Sequence, residues 1–249
     1  VNGDLDLSTV NAAQAKIVNG LVLNGTARVG GAGTYGVLNF EGSQTLGGTG
    51  TIVFGTSGCD AMRIVTAATT LTLGPGITVR GHTGGIGYNG CFGGPADGTV
   101  VNQGAISADT AGGTITVTAQ TLDNQGSLAS SNGGQLTVTG LTGSLGNASV
   151  GGGSGLTLAG TYTINVTLAA ADAGTTLTLN GTWTNAGTID LTDATLNLGG
   201  TFTIAALGTI TRTGTTTVNL TGTLDNTATT LTLDATTGSW VVAGGTIQG

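Results

Sequence analysis

The sequence predicts an all-β parallel solenoid with about 20–21 residues per coil. Three observations carry that reading: the glycine content, the alternation of β-branched with polar residues, and a repeat of about 20 residues that runs in two independent columns. Glycine supplies 49 of 249 residues, far above the average usage of ~7%. Without collagen's strict triplet, such a content marks either low complexity or a repeat with a tight corner in every period. Val, Ile and Leu alternating with Thr and Asn decide for the folded repeat, because a disordered Gly-rich chain lacks the β-branched surface that offsets ordering entropy.

The first column is ITVT at 115, LTVT at 136, LTLA at 156, LTLN at 177, LNLG at 196 and VNLT at 218, with successive steps of 21, 20, 21, 19 and 22. The second is GTYT at Gly160, GTWT at Gly181, GTFT at Gly200 and GTLD at Gly222, with steps of 21, 19 and 22. Both keep one step. A third set, NQG at Asn102 and Asn124 and NAG at Asn185, follows the same period. One coil then reads as strands at 176–180, 182–185 and 188–191, with Gly181 and Gly187 at corners, where glycine takes positive φ freely. Because successive side chains of a strand point to opposite faces, Leu faces inward and Thr outward. The same alternation stacks Tyr162, Trp183 and Phe202 as an inward aromatic ladder, since rare large apolar side chains bury their area. At ~4.8 Å per strand, about twelve coils make a rod of roughly 55 Å. Residues 5–18 are read as a weak N-terminal cap, and the repeat is faintest over 56–98, read as an irregular loop region within a single segment spanning 1–249.

The GTI, LTL, NQG and GGT units, recurring at the same period, resemble the repetitive regions of bacterial haemagglutinin-like and autotransporter-type surface adhesins. The resemblance implies a right-handed parallel β-helix, display at the bacterial cell surface, and a role in adhesion, matrix or filament formation. A non-catalytic structural or adhesive segment of a large extracellular protein is the expected function. Its partners are further coils or copies end to end, together with glycans.

Composition excludes other classes. The net charge is −7 with five Lys plus Arg and no basic cluster, so nucleic-acid binding has no electrostatic footprint. No stretch approaches the ~20 apolar residues of a membrane helix, so membrane insertion by this segment is not expected. No cofactor and no metal site is expected: the calcium nonapeptide is absent, and GGPADG at 93–98 offers a single carboxylate. Polysaccharide cleavage on a β-helix is the enzymatic alternative, yet it needs paired carboxylates. Asp190 and Asp193, the nearest pair of the regular half, have an odd separation that points them to opposite faces of a strand. Ice binding by outward Thr pairs is a lesser alternative, weakened by the break in the row at Asp225.

Chemistry is concentrated in residues 59–97. Cys59 and Cys91 lie in turn-like sequence and are expected to form a disulfide, which favours an oxidising, extracellular setting. Asp60, His82, Tyr88 and Asp97 are the candidates for a ligand loop, the stretch HTGGIGYNGCFGGPADG being too irregular for a simple coil.

Overall fold

The computed structural model describes residues 1–234 and 237–249. It is an all-β solenoid of about eleven parallel coils, and each regular coil contributes a strand to three faces. The first face runs from Ala13–Val18 through Gly36–Glu41, Ala61–Ile64 and Gly84–Gly87 to Thr195–Leu198, Thr217–Leu220 and Val241–Val242. The second runs from Leu21–Leu23 through Gln44–Gly48, Thr70–Leu73 and Thr99–Asn102 to Thr201–Thr203, Thr223–Asp225 and Thr246–Gln248. Between them, the long strands Thr114–Asn124, Gln135–Ser144, Gly155–Ile164 and Thr176–Asn185 serve both faces, bending at a corner. The third face stacks ten strands from Leu5–Leu7 to Thr209–Thr213. Every register pairing between named strands is parallel, and Leu177 pairs with Leu196 on neighbouring strands of one face.

Alternation sets the core. In Thr176–Asn185 the side chains of Leu177, Leu179, Trp183 and Asn185 are buried while the intervening residues are not. Tyr162, Trp183, Phe202 and Leu224 occupy one register column and are all buried. Trp183 stacks on Phe202 with ring centroids 4.8 Å apart, and its indole N–H donates to the carbonyl of Gly199 at 3.0 Å. Burial pushes the Tyr162 phenol well above its ordinary pKa. The Asn residues of the NQG and NAG units stack inside the corners and bond along the axis. Asn102 Nδ2 donates to Asn124 Oδ1 at 2.7 Å, Asn124 Nδ2 to the Leu145 carbonyl at 2.6 Å, and Asn185 Nδ2 to the Leu207 and Thr209 carbonyls. Amides that would be costly to bury alone are thereby largely satisfied by the next coil.

The structure corrects three sequence readings. Residues 5–18 form no separate cap; Leu5–Leu7 and Ala13–Val18 are strands of the first coil, paired in register with the second. The stretch 56–98 is mostly regular, holding Ala61–Ile64, Thr70–Leu73, Thr78–Gly81 and Gly84–Gly87, and only 88–98 leaves the rod. The predicted period holds for the second half, where Thr167 pairs with Thr188 and Thr188 with Thr209. The first half has longer coils, as shown by Thr51 pairing with Thr78 and Thr78 with Ala105. At the far end, among the described residues, the third face has no strand beyond Thr209–Thr213. There Ile204–Leu207 forms a short helix, and Leu231 and Trp240 lean over an apolar cavity of about 390 Å³ with Ile210 and Val218.

Candidate functional site

The loop 88–98 follows the strand Gly84–Gly87 and rises over the first face. It leaves the sheet at Tyr88, whose N–H still donates to the Thr118 carbonyl of the next coil. Asn89 then closes a tight turn, its Oδ1 accepting from Cys91 N at 2.9 Å and its carbonyl accepting from Gly93 N at 2.8 Å. Cys91 forms a disulfide with Cys59 on the rod, with Cα atoms 5.6 Å apart. Arg63, on the first face, holds the other side of the loop: Nε donates to the Gly93 carbonyl and Nη2 to the Phe92 carbonyl. Phe92 packs on Tyr35 at 5.4 Å between centroids, and Val37 and Ala61 of the first face are buried. A covalent bond, a guanidinium and an aromatic pair thus fix the loop in place.

The four candidate ligand residues separate in space and in role. Asp60 is fully buried at the corner before Ala61–Ile64. Its Oδ1 accepts from Gly36 N of the preceding coil, its Oδ2 from Ser57 N, and its carbonyl accepts from Gly85 N of the following coil. It fastens three coils. Desolvation raises its carboxyl to about 6 from 3.8, against the lowering effect of those amides. Asp97 likewise accepts from Ala68 N at 3.0 Å. His82 Nδ1 lies 2.7 Å from Thr83 Oγ1, an oxygen that also accepts from Thr114 N at 3.3 Å. Of the four, Tyr88 is the most exposed, at 39%, while His82 and Asp97 are half-buried.

Asp60 makes stability depend on pH. Its folded-state pKa lies above the unfolded value, so between about pH 4 and about pH 6 the native protein keeps a proton that the unfolded chain has released. Stability therefore falls as pH rises through that window and levels off above it, by up to about 3 kcal/mol. Asp6 and Asp225, held below the ordinary range by hydrogen bonds from Ser8 and Thr227, act in the opposite sense and only at lower pH. Urea midpoints measured at pH 4 and pH 7 are expected to be higher at pH 4, with the difference reduced in Asp60→Asn. An equal difference in the variant would assign it to other groups.

Beside the loop is a cleft of about 400 Å³, walled by Tyr88, Asn89 and Gly90 and floored by Gly84, Gly85, Thr114, Thr116 and Thr118. Sequence reasoning found Tyr88 but missed Asn89 and the Thr floor. Asn89 sits in an NGC triplet, whose tendency to turn is a readable signal. The floor arises only when the following coil stacks on Gly84–Gly87, with Gly85 paired to Thr116.

Asp190 and Asp193 have separate partners. Asp190 accepts from Thr211 Oγ1 at 2.6 Å, whereas Asp193, at φ 53° in the following turn, accepts from Thr215 N at 2.7 Å. Among the described residues no group of three or more His, Cys, Asp or Glu side chains is placed to hold a metal ion, and no helix is long and apolar enough to cross a membrane. Comparison with protein-family models, with curated proteins and with solved structures returned no match.

Proposed function

We propose that this chain is a non-catalytic structural rod of a surface-exposed or secreted protein, built to extend and display, and to stack end to end. The observation that carries the reading is the use made of the carboxylates. Asp4 accepts from Thr26 N, Asp60 from Gly36 N, Asp97 from Ala68 N, Asp172 from Gly152 N and Asp193 from Thr215 N. Each bond joins one coil's side chain to a neighbouring coil's backbone, the task of a structural corner rather than of a general acid or base. The disulfide supports an oxidising compartment.

Stacking is supported by the end coils. Parallel strands at either end of a solenoid have a neighbour on one side only, and an unpaired edge is a template for another strand. Core columns lie uncovered there: Val242 and Ile247, in register with the buried Leu220 and Leu224, are 62% and 49% exposed, and Ile17 and Leu21, in register with the buried Phe40 and Leu46, are only half-buried. A contact joining one end to the opposite end of another copy does not close, and so propagates as a filament. The Thr row of the second face, in which Thr161, Thr182, Thr201, Thr223 and Thr246 stand in register, underlies the ice-binding alternative. Its companion row ends in Asp225 and Gln248, which breaks the lattice of hydroxyls such a surface requires.

Electron microscopy of the purified chain tests the proposal. Rods of about 50 Å, from about eleven strand spacings, joined lengthwise into threads that grow with protein concentration, are the expected result. Separate rods at every concentration would overturn stacking. Cleavage of a polysaccharide, abolished by Asp190→Asn or Asp193→Asn, would overturn the non-catalytic assignment.

A further inference from the structure

We propose that the cleft beside the disulfide-pinned loop is a binding site for a neutral saccharide, with Tyr88 as the stacking platform. The proposal adds a recognition function to the rod and does not depend on whether rods assemble. Four features of the cleft select this ligand class.

First, an aromatic ring is offered to solvent on an anchored loop. Tyr162, Trp183 and Phe202 are buried, whereas Tyr88 is 39% exposed beside a concave surface. A flat ring with a polar tip, fixed at its backbone by the Thr118 carbonyl and farther along the loop by the disulfide, suits the apolar face of a pyranose. Second, Asn89 is a built polar group. It is 4% exposed, its Oδ1 is taken by Cys91 N, and its Nδ2 stands 3.2 Å from where a Cβ on Gly85 would lie, over the cleft floor. Among the described residues no acceptor pairs with that Nδ2. That donor is not among the buried polar atoms without a partner, so it stays open on the cleft side, where a ligand oxygen can accept from it.

Third, the floor is a patch of hydroxyls with no internal partners. Farther along the first face the polar groups bond to one another, Asn219 Nδ2 to Asn197 Oδ1 and Asn197 Nδ2 to Thr178 Oγ1. Nearer the loop, the hydroxyls of Thr116, Thr118, Thr137 and Thr157 have no hydrogen-bond partner among the described residues. Thr116, Thr137 and Thr157 stand in one register column, so their hydroxyls repeat at the strand spacing of ~4.8 Å along the rod axis. Such a row both donates to and accepts from sugar hydroxyls. Fourth, none of the residues lining the cleft is charged, and the nearby Arg63 is engaged with the loop carbonyls. Neutrality selects an uncharged sugar over a uronate or sulfated chain. The flat track beyond the cleft admits several units of a polysaccharide laid along the axis.

The test is calorimetric titration of the intact, oxidised chain with cellohexaose, maltohexaose and mannohexaose, and with a polygalacturonate oligomer as the acidic control. At least one neutral hexamer is expected to bind, and the acidic oligomer not to bind. Tyr88→Ala should weaken that binding by about tenfold, Tyr88→Phe should restore it, and Thr116→Val should weaken it to a lesser degree. Tyr88 is exposed, and unchanged urea midpoints for both Tyr88 variants show that the loop and fold persist. Absence of binding by all three neutral hexamers, equal binding of the acidic oligomer, or full affinity in Tyr88→Ala would overturn the site. Filament formation, read separately by microscopy, is expected to be unaffected in Tyr88→Ala, so failure of the rod proposal and failure of this one give different results.

Discussion

Trp183→Ala is expected to destabilise the chain by about 3–5 kcal/mol, the range for truncating a large aromatic side chain in a core. Trp183 is the largest fully buried side chain of the rod. Its removal opens a void between Tyr162 on one coil and Phe202 on the next, and it orphans the Gly199 carbonyl that accepts from the indole N–H. In a globular domain such a cavity would be shared by one core. In a solenoid each coil touches only its neighbours, so the loss enters a chain of nearest-neighbour couplings at one point. The damage should therefore be local. Hydrogen exchange is expected to accelerate over 155–225 and to stay near its wild-type level over 61–108. Uniform acceleration along the whole rod would mean that the coils unfold as a single cooperative unit. Trp183→Phe, which keeps an aromatic ring on Phe202 but loses the N–H, should recover most of the loss.

How much was legible in the sequence follows from the same nearest-neighbour rule. The second half repeats at a nearly constant step because its corners are short and alike, so Leu177 over Leu196 and Trp183 beside Phe202 follow from counting. The first half hides an equally regular stack. Its corners differ in length, so the step that carries Thr78 to its partner Ala105 is shorter than the one that carries Gly84 to Ile115. Strands such as Ala61–Ile64, with Arg63 facing outward under the loop, carry no outward Thr pair to announce them. Expectations about single side chains fared according to what decides them. The disulfide between Cys59 and Cys91 was legible, because two Cys in turn-like sequence have few other uses. The role of Asp60 was not. Nothing local to GTSGCDAM shows that its carboxylate is enclosed by Gly30 and Gly36 of the preceding coil. The tie made by Asp97 was hidden for the same reason: its partner, Ala68 N, belongs to a different stretch of the coil path and meets it only in the folded rod. Asn89 was overlooked because a turn-forming Asn normally reports only on its own backbone, and its exposure to a cleft depends on the Thr strand that stacks later.

Glycine was the first signal in this sequence, and substitution at three glycines should resolve what it does. Gly47, in the strand Gln44–Gly48, has negative φ and open space where a Cβ would stand. Gly143 has equal space but a φ of +72°. Gly181 combines a φ of +81° with a Cβ direction that runs into the Gly160 carbonyl of the neighbouring coil, and the next corner repeats the pattern, Gly200 against Gly181. Gly47→Ala is expected to be neutral or to stabilise by about 0.4–1 kcal/mol, since alanine reduces the entropy of the unfolded chain without strain. Gly143→Ala should cost about 1–2 kcal/mol, the penalty of a side chain in the left-handed region. Gly181→Ala carries that penalty and must also separate two backbones packed at a parallel-strand spacing, so its cost should exceed that of Gly143→Ala by about 1–3 kcal/mol. Urea denaturation of the three variants checks the order. A Gly181→Ala value equal to that of Gly143→Ala would mean that the coil spacing yields without penalty, and that glycine serves the corner through its φ alone. The expected gap instead makes close approach between coils the reason a Gly stands at 160, 181 and 200, one above another along the bend between the first and second faces.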